Sequence, residues 1–238
     1  MSKDIKVLQN ELVHKTPRDL IHWAKEEFDD HLVMTSAFGA SGMVLLDMVR
    51  EVMPNIPIFF LETGFHFKET LEFIDQVQKE WNLNLIKLYP ETSKPDLMKR
   101  YGPTPYEHHH NMCCHINKVL PLDKAFKEYQ VKGWLTALRK DQSQSREDLT
   151  TVEMDNRGII KVNPIVNWTR KEIWAYIFKN GIPYNPLHDQ DYPSIGCEPC
   201  TAKVVPGAHE RDGRWKGKNK VECGIHVDAS IPRESIED

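Results

Sequence analysis

The stretch HLVMTSAFGASGMVLLDMVREV, residues 31–52, decides the fold. HLVMT is a short apolar run of strand-forming residues. SAFGASG is a loop of small residues with glycines at 39 and 42. MVLLDMVREV is long and apolar enough to be a buried helix. Strand, glycine loop and helix in that order are half of a βαβ unit. The pattern then repeats: IPIFFLE (56–62), the turn Thr63-Gly64, the helical FKETLEFIDQVQKEW (67–81) and a third strand-like run, LNLIKLY (83–89). This alternation over the first 90 residues predicts an α/β protein with a mostly parallel sheet and helices on both faces.

Other punctuation extends the reading. Thr16-Pro17 opens a helix over RDLIHWAKEEF, whose Leu20, Ile21, Ala24 and Phe28 share one face. HINKVLPLDKAFKEY (115–129) reads as a helix interrupted at Pro121. KGWLTAL and GIIKVNPI read as further strands. Thr169 and Glu172 form a capping box for RKEIWAYIFKN, stopped by Gly181. From Pro206 on the chain is rich in glycine and charge. One domain over 1–238 is expected, with 206–238 a mobile carboxy-terminal tail.

Composition narrows the function. The chain has 238 residues, 40% apolar and 28% charged, with a formal net charge of -4. That supports a sizeable core and argues against a general nucleic-acid binder. No apolar run is long enough for a signal peptide or a membrane span, so a cytoplasmic protein with reduced thiols is expected. The sequence allows a homo-oligomer without specifying one.

Cysteines carry the chemistry. Cys113 and Cys114 are adjacent, and Cys197 and Cys200 have the spacing of a metal knuckle. Four thiolates can hold one zinc or an iron–sulfur cluster. Neighbouring cysteines point about 100° apart on a helix, which suits several irons better than one ion. Zinc is the main rival, and metal-free core packing is the plain alternative. Lys118 lies four residues after Cys114, on the same face if the stretch is helical, where its charge would offset an anionic cluster. A solvent-facing lysine satisfies the same spacing.

Three further groups stand out. Ser36 and Gly39 lie where a helix would begin after a parallel strand, a position that offers backbone amides to an anion. The loop is not a Walker A loop, because no Gly-Lys-Ser/Thr follows, and a tight structural turn explains its glycines equally well. TALRKDQSQSRED gathers Arg139, Lys140 and Arg146, and ERDGRWKGKNK gathers Arg211 and Arg214 with three lysines. Guanidinium groups suit phosphate or sulfate, while most of the lysines read as a solvated face. Cys223 stands apart from both pairs, in a basic setting with His226 three residues on. Cations beside a thiol favour the nucleophilic thiolate. The run His108-His109-His110 reads as an exposed loop.

Together, Cys113-Cys114, Cys197-x2-Cys200, TALRKDQS, YPSIGC and the terminal ECGIH resemble the assimilatory adenylyl-sulfate (APS) reductases. These are the cluster-bearing branch of the phosphoadenylyl-sulfate (PAPS) reductase family. The resemblance implies a fold related to the adenine-nucleotide alpha-hydrolases. It implies one [4Fe-4S] cluster on Cys113, Cys114, Cys197 and Cys200, with Lys118 beside it. It further implies that Arg139, Arg211 and Arg214 hold the phosphosulfate, that Ser36, Gly39 and His226 border the substrate, and that Cys223 is the catalytic nucleophile. The implied reaction converts APS to sulfite and AMP through an S-sulfocysteine, with thioredoxin or a similar dithiol protein as reductant, in sulfate assimilation toward cysteine biosynthesis. Ser41-Gly42 and Glu62-Thr63-Gly64 depart from residues common in that branch, which leaves PAPS, or both nucleotides, as alternative substrates. An ATP-dependent RNA-thiolating enzyme of related fold is a remoter alternative. SAFGASG lacks the aspartate expected of it.

Overall fold

A computed structural model describes residues 4–205 and 207–226. Six strands form one sheet: β1 (Leu32–Thr35), β2 (Ile58–Leu61), β3 (Leu85–Leu88), β4 (Gly133–Leu135), β5 (Val152–Met154) and β6 (Ile160–Val162). Their order is β3-β2-β1-β4-β6-β5, parallel throughout except for the antiparallel β5–β6 edge pair. β5 is only three residues long, too short to show an alternation in sequence. The turn before β6 is built by Asp155, whose carboxylate accepts the amides of Arg157 and Ile159.

The helices are α1 (Ile5–Leu12), α2 (Pro17–Phe28), α3 (Ala40–Val52), α4 (Lys68–Glu80), α5 (Lys94–Tyr101), α6 (Pro105–His108), α7 (His110–Cys114), α8 (Leu120–Glu128) and α9 (Arg170–Asn180). Strand side chains alternate between two cores. Leu32, Met34, Ile58 and Phe60 face one side with residues of α1, α2, α3, α4 and α9. Val33, Phe59 and Trp134 face the other with Leu122 and Phe126 of α8. The two-faced α/β architecture expected from the sequence is therefore present. The capping boxes at Thr16–Asp19 and Thr169–Glu172 form, and Gly181 ends α9 in the left-handed conformation.

One expected helix differs. α7 runs through the paired cysteines into a π-helical turn, His115–Val119, and then into α8. The irregularity precedes Pro121, which sits in the first turn of α8. Proline has no N–H to donate to the carbonyl four residues back, so the register widens just before it. No described helix is long and apolar enough to cross a membrane. Pro206 and 227–238 of the expected tail lie outside the described residues. Its described part packs on the domain: Trp215 is 3% exposed and its amide donates to the Cys200 carbonyl (3.1 Å).

Candidate functional site: an anion cleft beside a four-thiol cavity

β1 leads to β2 and β3 on one side, and the chain then returns to place β4 on the other. Beside this reversal the carboxyl ends of β1, β2 and β4 border a cleft of about 1160 Å³, its open mouth included. Open α/β sheets bind ligands at such a switch point. The loop after β1 turns sharply at Phe38, whose φ is 55° and whose amide donates to Ser36 Oγ (3.0 Å). Gly42 is required by this closeness, because a Cβ there would lie 2.8 Å from Ser36 Oγ. The first amide of α3, at Ala40, donates to His188 Nε2 (3.2 Å). Nδ1 of His188 in turn meets the Tyr192 carbonyl (2.9 Å). Burial drives the His188 pKa down to about 4, so the ring is neutral and can accept at Nε2.

Cations dominate the opposite wall. Lys118, Arg146, Arg211 and Arg214 all line the cleft. Burial, then the charge of Arg146, lowers the Arg211 pKa to about 10 even though Glu222 works the other way. Glu222 takes Arg146 through both carboxylate oxygens, at 2.7 and 2.9 Å, and Arg211 at 3.2 Å. Lys118 and Arg214 make no ion pair among the described residues. Burial opposes the charge of Lys118, but the thiols of Cys197, Cys223 and Cys114 outweigh it and its pKa is raised. The half-buried Cys223 opens on the same cleft and packs against the cluster formed by Cys113, Cys197, Cys200 and Trp215.

Behind this wall Cys113, Cys114, Cys197 and Cys200 line one narrow cavity, about 330 Å³ with its opening included, together with Phe65, Tyr106, Pro199, His110 and Lys118. Lys118 therefore borders both spaces. The Thr63–His66 loop clasps the knuckle: Glu198 N donates to the Phe65 carbonyl (2.7 Å), and Thr63 Oγ1 lies 3.4 Å from Cys197 Sγ. Asn117 steadies the other pair by donating to the Cys113 carbonyl (2.8 Å). All four cysteines are buried and unbridged. Burial, then the neighbouring thiols, pushes Cys113 up to about 12. Free thiolates would repel one another here, and such a donor set suits a cationic centre. No three His, Cys, Asp or Glu side chains among the described residues are set to hold one metal ion.

Of the residues singled out from sequence, Ser36, Gly39, Lys118, Arg211, Arg214, Cys223 and His226 all border the cleft. Arg139 does not. It is 1% exposed and bonded to Ser41 Oγ (2.9 Å), Asp141 (2.5 Å) and Glu210 (2.5 Å). Its place on the wall is taken by Arg146, which reading by charge alone could not rank above it. His226 stacks on Trp134 at 5.1 Å and is held neutral by burial, with Lys161 and Arg146 next in effect. His66 and His188 also line the cleft, and nothing in their local sequence marks them. The histidine run divides: His108 is exposed, whereas His110 turns toward the thiol cavity with Nδ1 lacking a partner.

The fold and the cleft define an open α/β protein with a cation-lined cleft at the switch point of its sheet. Residues 31–203 match the family described as Phosphoadenosine phosphosulfate reductase domain, and the chain belongs to that family. An adenosine 5'-phosphosulfate reductase of Bacillus mycoides is 44% identical over 209 residues, 87% of this chain and 88% of the relative. A Bacillus cereus protein of the same name matches equally. The crystal structure of a PAPS reductase from Candida auris, as a phosphate complex, is similar with a TM-score of 0.75 at 32% identity, covering 86% of this chain and 98% of that one. A Candida glabrata FMN adenylyltransferase shares the fold at a TM-score of 0.61 and 15% identity, over 99% of this chain and 83% of that one.

Proposed function

We propose that this chain reduces APS to sulfite and AMP in sulfate assimilation, with Cys223 as the nucleophile and a dithiol protein of the thioredoxin type as reductant. The observation that carries the reading is Cys223 opening on a cleft with Lys118, Arg146, Arg211 and Arg214. A thiol among cations at a nucleotide-fold switch point suits attack on an anionic, activated sulfur. The name shared by relatives that cover most of the chain supports the same substrate.

The Cys223 thiolate attacks the sulfonyl sulfur of APS. A bond forms between Sγ and that sulfur, the bond from sulfur to the phosphate oxygen breaks, and AMP leaves. The arginines and Lys118 counter charge as it returns to the phosphate. The product is S-sulfocysteine at 223. A thiolate of the reductant then attacks Cys223 Sγ, and sulfite departs with the electron pair of the S–S bond. The resulting mixed disulfide is opened by the reductant's second thiol, so its two thiols supply the two electrons and Cys223 returns to the reduced state.

The cavity behind Lys118 is proposed to hold a [4Fe-4S] cluster on Cys113, Cys114, Cys197 and Cys200. Four buried thiols lining one cavity, with a lysine at its edge and no carboxylate lining it, fit that group. When bound, the cluster would supply a fixed electrostatic partner for Lys118 next to the substrate anion. The proposed setting is the cytoplasm, with sulfite passing toward cysteine. The test is sulfite release from APS or PAPS by anaerobically purified protein with reduced thioredoxin. APS is expected to be the better substrate in direct competition. Absence of sulfite from both would reject the reading.

A further inference from the structure

The carboxylate next to Cys223 is paired inside the cleft. Glu222 engages two of the three cleft-lining arginines, Arg146 at 2.7 and 2.9 Å and Arg211 at 3.2 Å. A bidentate arginine–carboxylate pair has the same donor geometry as an arginine–phosphate or arginine–sulfate pair. Glu222 is itself largely buried, with its side chain 11% exposed. A buried carboxylate without those arginines would bear an uncompensated charge, so the contact fixes this part of the chain to the cleft.

Glu210, on the same carboxy-terminal segment, pairs with Arg139 at 2.5 Å and accepts from Gln142 at 3.3 Å. The two contacts differ in reach. Arg139 is 1% exposed and off the cleft wall, whereas the arginines of Glu222 are on it. Glu210 borders the cleft while its arginine does not, whereas the Glu222 pair has both its carboxylate and its arginines on the cleft lining. Beyond Glu222 come Cys223 and then Gly224, which has a φ of 85°, a conformation open to glycine at little cost. A change at Glu222 is therefore passed directly to the nucleophile.

We infer that Glu222 acts as a built-in substitute anion: it pairs with Arg146 and Arg211 and is exchanged for the phosphosulfate of the incoming nucleotide. Binding is then a trade of one anion for another. Glu222 thereby sets nucleotide affinity as an affinity-determining residue rather than a catalytic one. This rests on the nucleotide reading of the cleft.

The test is AMP binding by calorimetry to cluster-replete wild-type, Glu222→Gln and Glu222→Asp proteins. With the competing charge removed, Glu222→Gln should bind AMP about tenfold more tightly, as expected when one partner of a close charge pair is neutralised. Glu222→Asp keeps the charge on a shorter arm and should gain less, in the same direction. The KM for APS should fall with the AMP dissociation constant. Equal or weaker AMP binding by a folded Glu222→Gln protein overturns the inference. So does loss of cooperative unfolding in both variants, which would make the carboxylate a structural partner of Arg146. Failure of wild-type protein to bind AMP would instead count against the nucleotide site itself.

Discussion

Two cysteine-bearing regions meet at Lys118 and are held by opposite means. The four-thiol cavity is enclosed by apolar contacts and backbone hydrogen bonds from separate parts of the chain: Phe65, Leu97, Ile116 and Trp215 pack around it, and the 63–66 loop bonds directly to the knuckle. The segment from Lys216 to Glu222 is held mostly by charge. Lys218 reaches the Tyr106 carbonyl (2.5 Å), Lys220 reaches Asn111 (2.6 Å), Glu222 takes its arginines, and Val221 is left 66% exposed. An apolar contact has no competitor in the cell, whereas an ion pair can be exchanged for another ion. The first set of contacts is permanent and the second exchangeable, which suits the proposed role of Cys223 as a nucleophile that meets both a small anion and a whole protein.

The sharpest break of this contrast is Cys223→Ser. Sulfite release should fall by more than about a thousandfold, in line with removal of a covalent nucleophile, while iron content and AMP binding stay at wild-type levels. Mass spectrometry after mixing wild-type protein with APS alone should place one sulfonate on the Cys223 peptide. Next comes Cys113→Ser or Cys197→Ser. Either should lose iron and activity together and unfold at lower temperature, because a buried ligand set left incomplete destabilises its surroundings. Retention of full iron by these variants would dissolve the distinction between the regions.

Arg146→Ala tests the wall between them. It removes a cleft cation and leaves Glu222 one partner short, and a loss of about 10² to 10³ in kcat is expected, the size seen when a donor to developing charge is removed. Arg139→Ala should instead act mainly on stability, since Arg139 lies off the cleft. A larger catalytic loss from Arg139→Ala with unchanged melting would reverse these assignments.

The smallest effect concerns pH. His188 is held neutral with its pKa near 4 against an ordinary value of 6.5. The unfolded chain therefore takes up a proton that the folded chain refuses. This contribution is complete above pH 6.5 and is lost progressively as pH falls toward 4. Within that window each pH unit costs up to about 1.4 kcal/mol for the site, or a few degrees in melting temperature at about 2–4 °C per kcal/mol. His188→Gln should flatten the melting profile between pH 6.5 and 4. An unchanged slope would mean that the ring does not carry this linkage.

The sequence by itself determined the repeating strand–loop–helix order, the helix caps at Thr16 and Thr169, the two cysteine pairs and the isolated Cys223. Each is a local or spacing property, written in residues a few positions apart. Tertiary structure decided what distance along the chain conceals. It chose Arg146 over Arg139 for the cleft, because packing holds one guanidinium behind Ser41 and sets the other, also buried, on the cleft lining. It brought His188 onto the first amide of α3, 148 residues away in the chain. It set Glu222 on two arginines and made Lys118 common to both cavities. Charge in a sequence states how many ions there are, but only the folded chain determines which are desolvated and which partner each one meets.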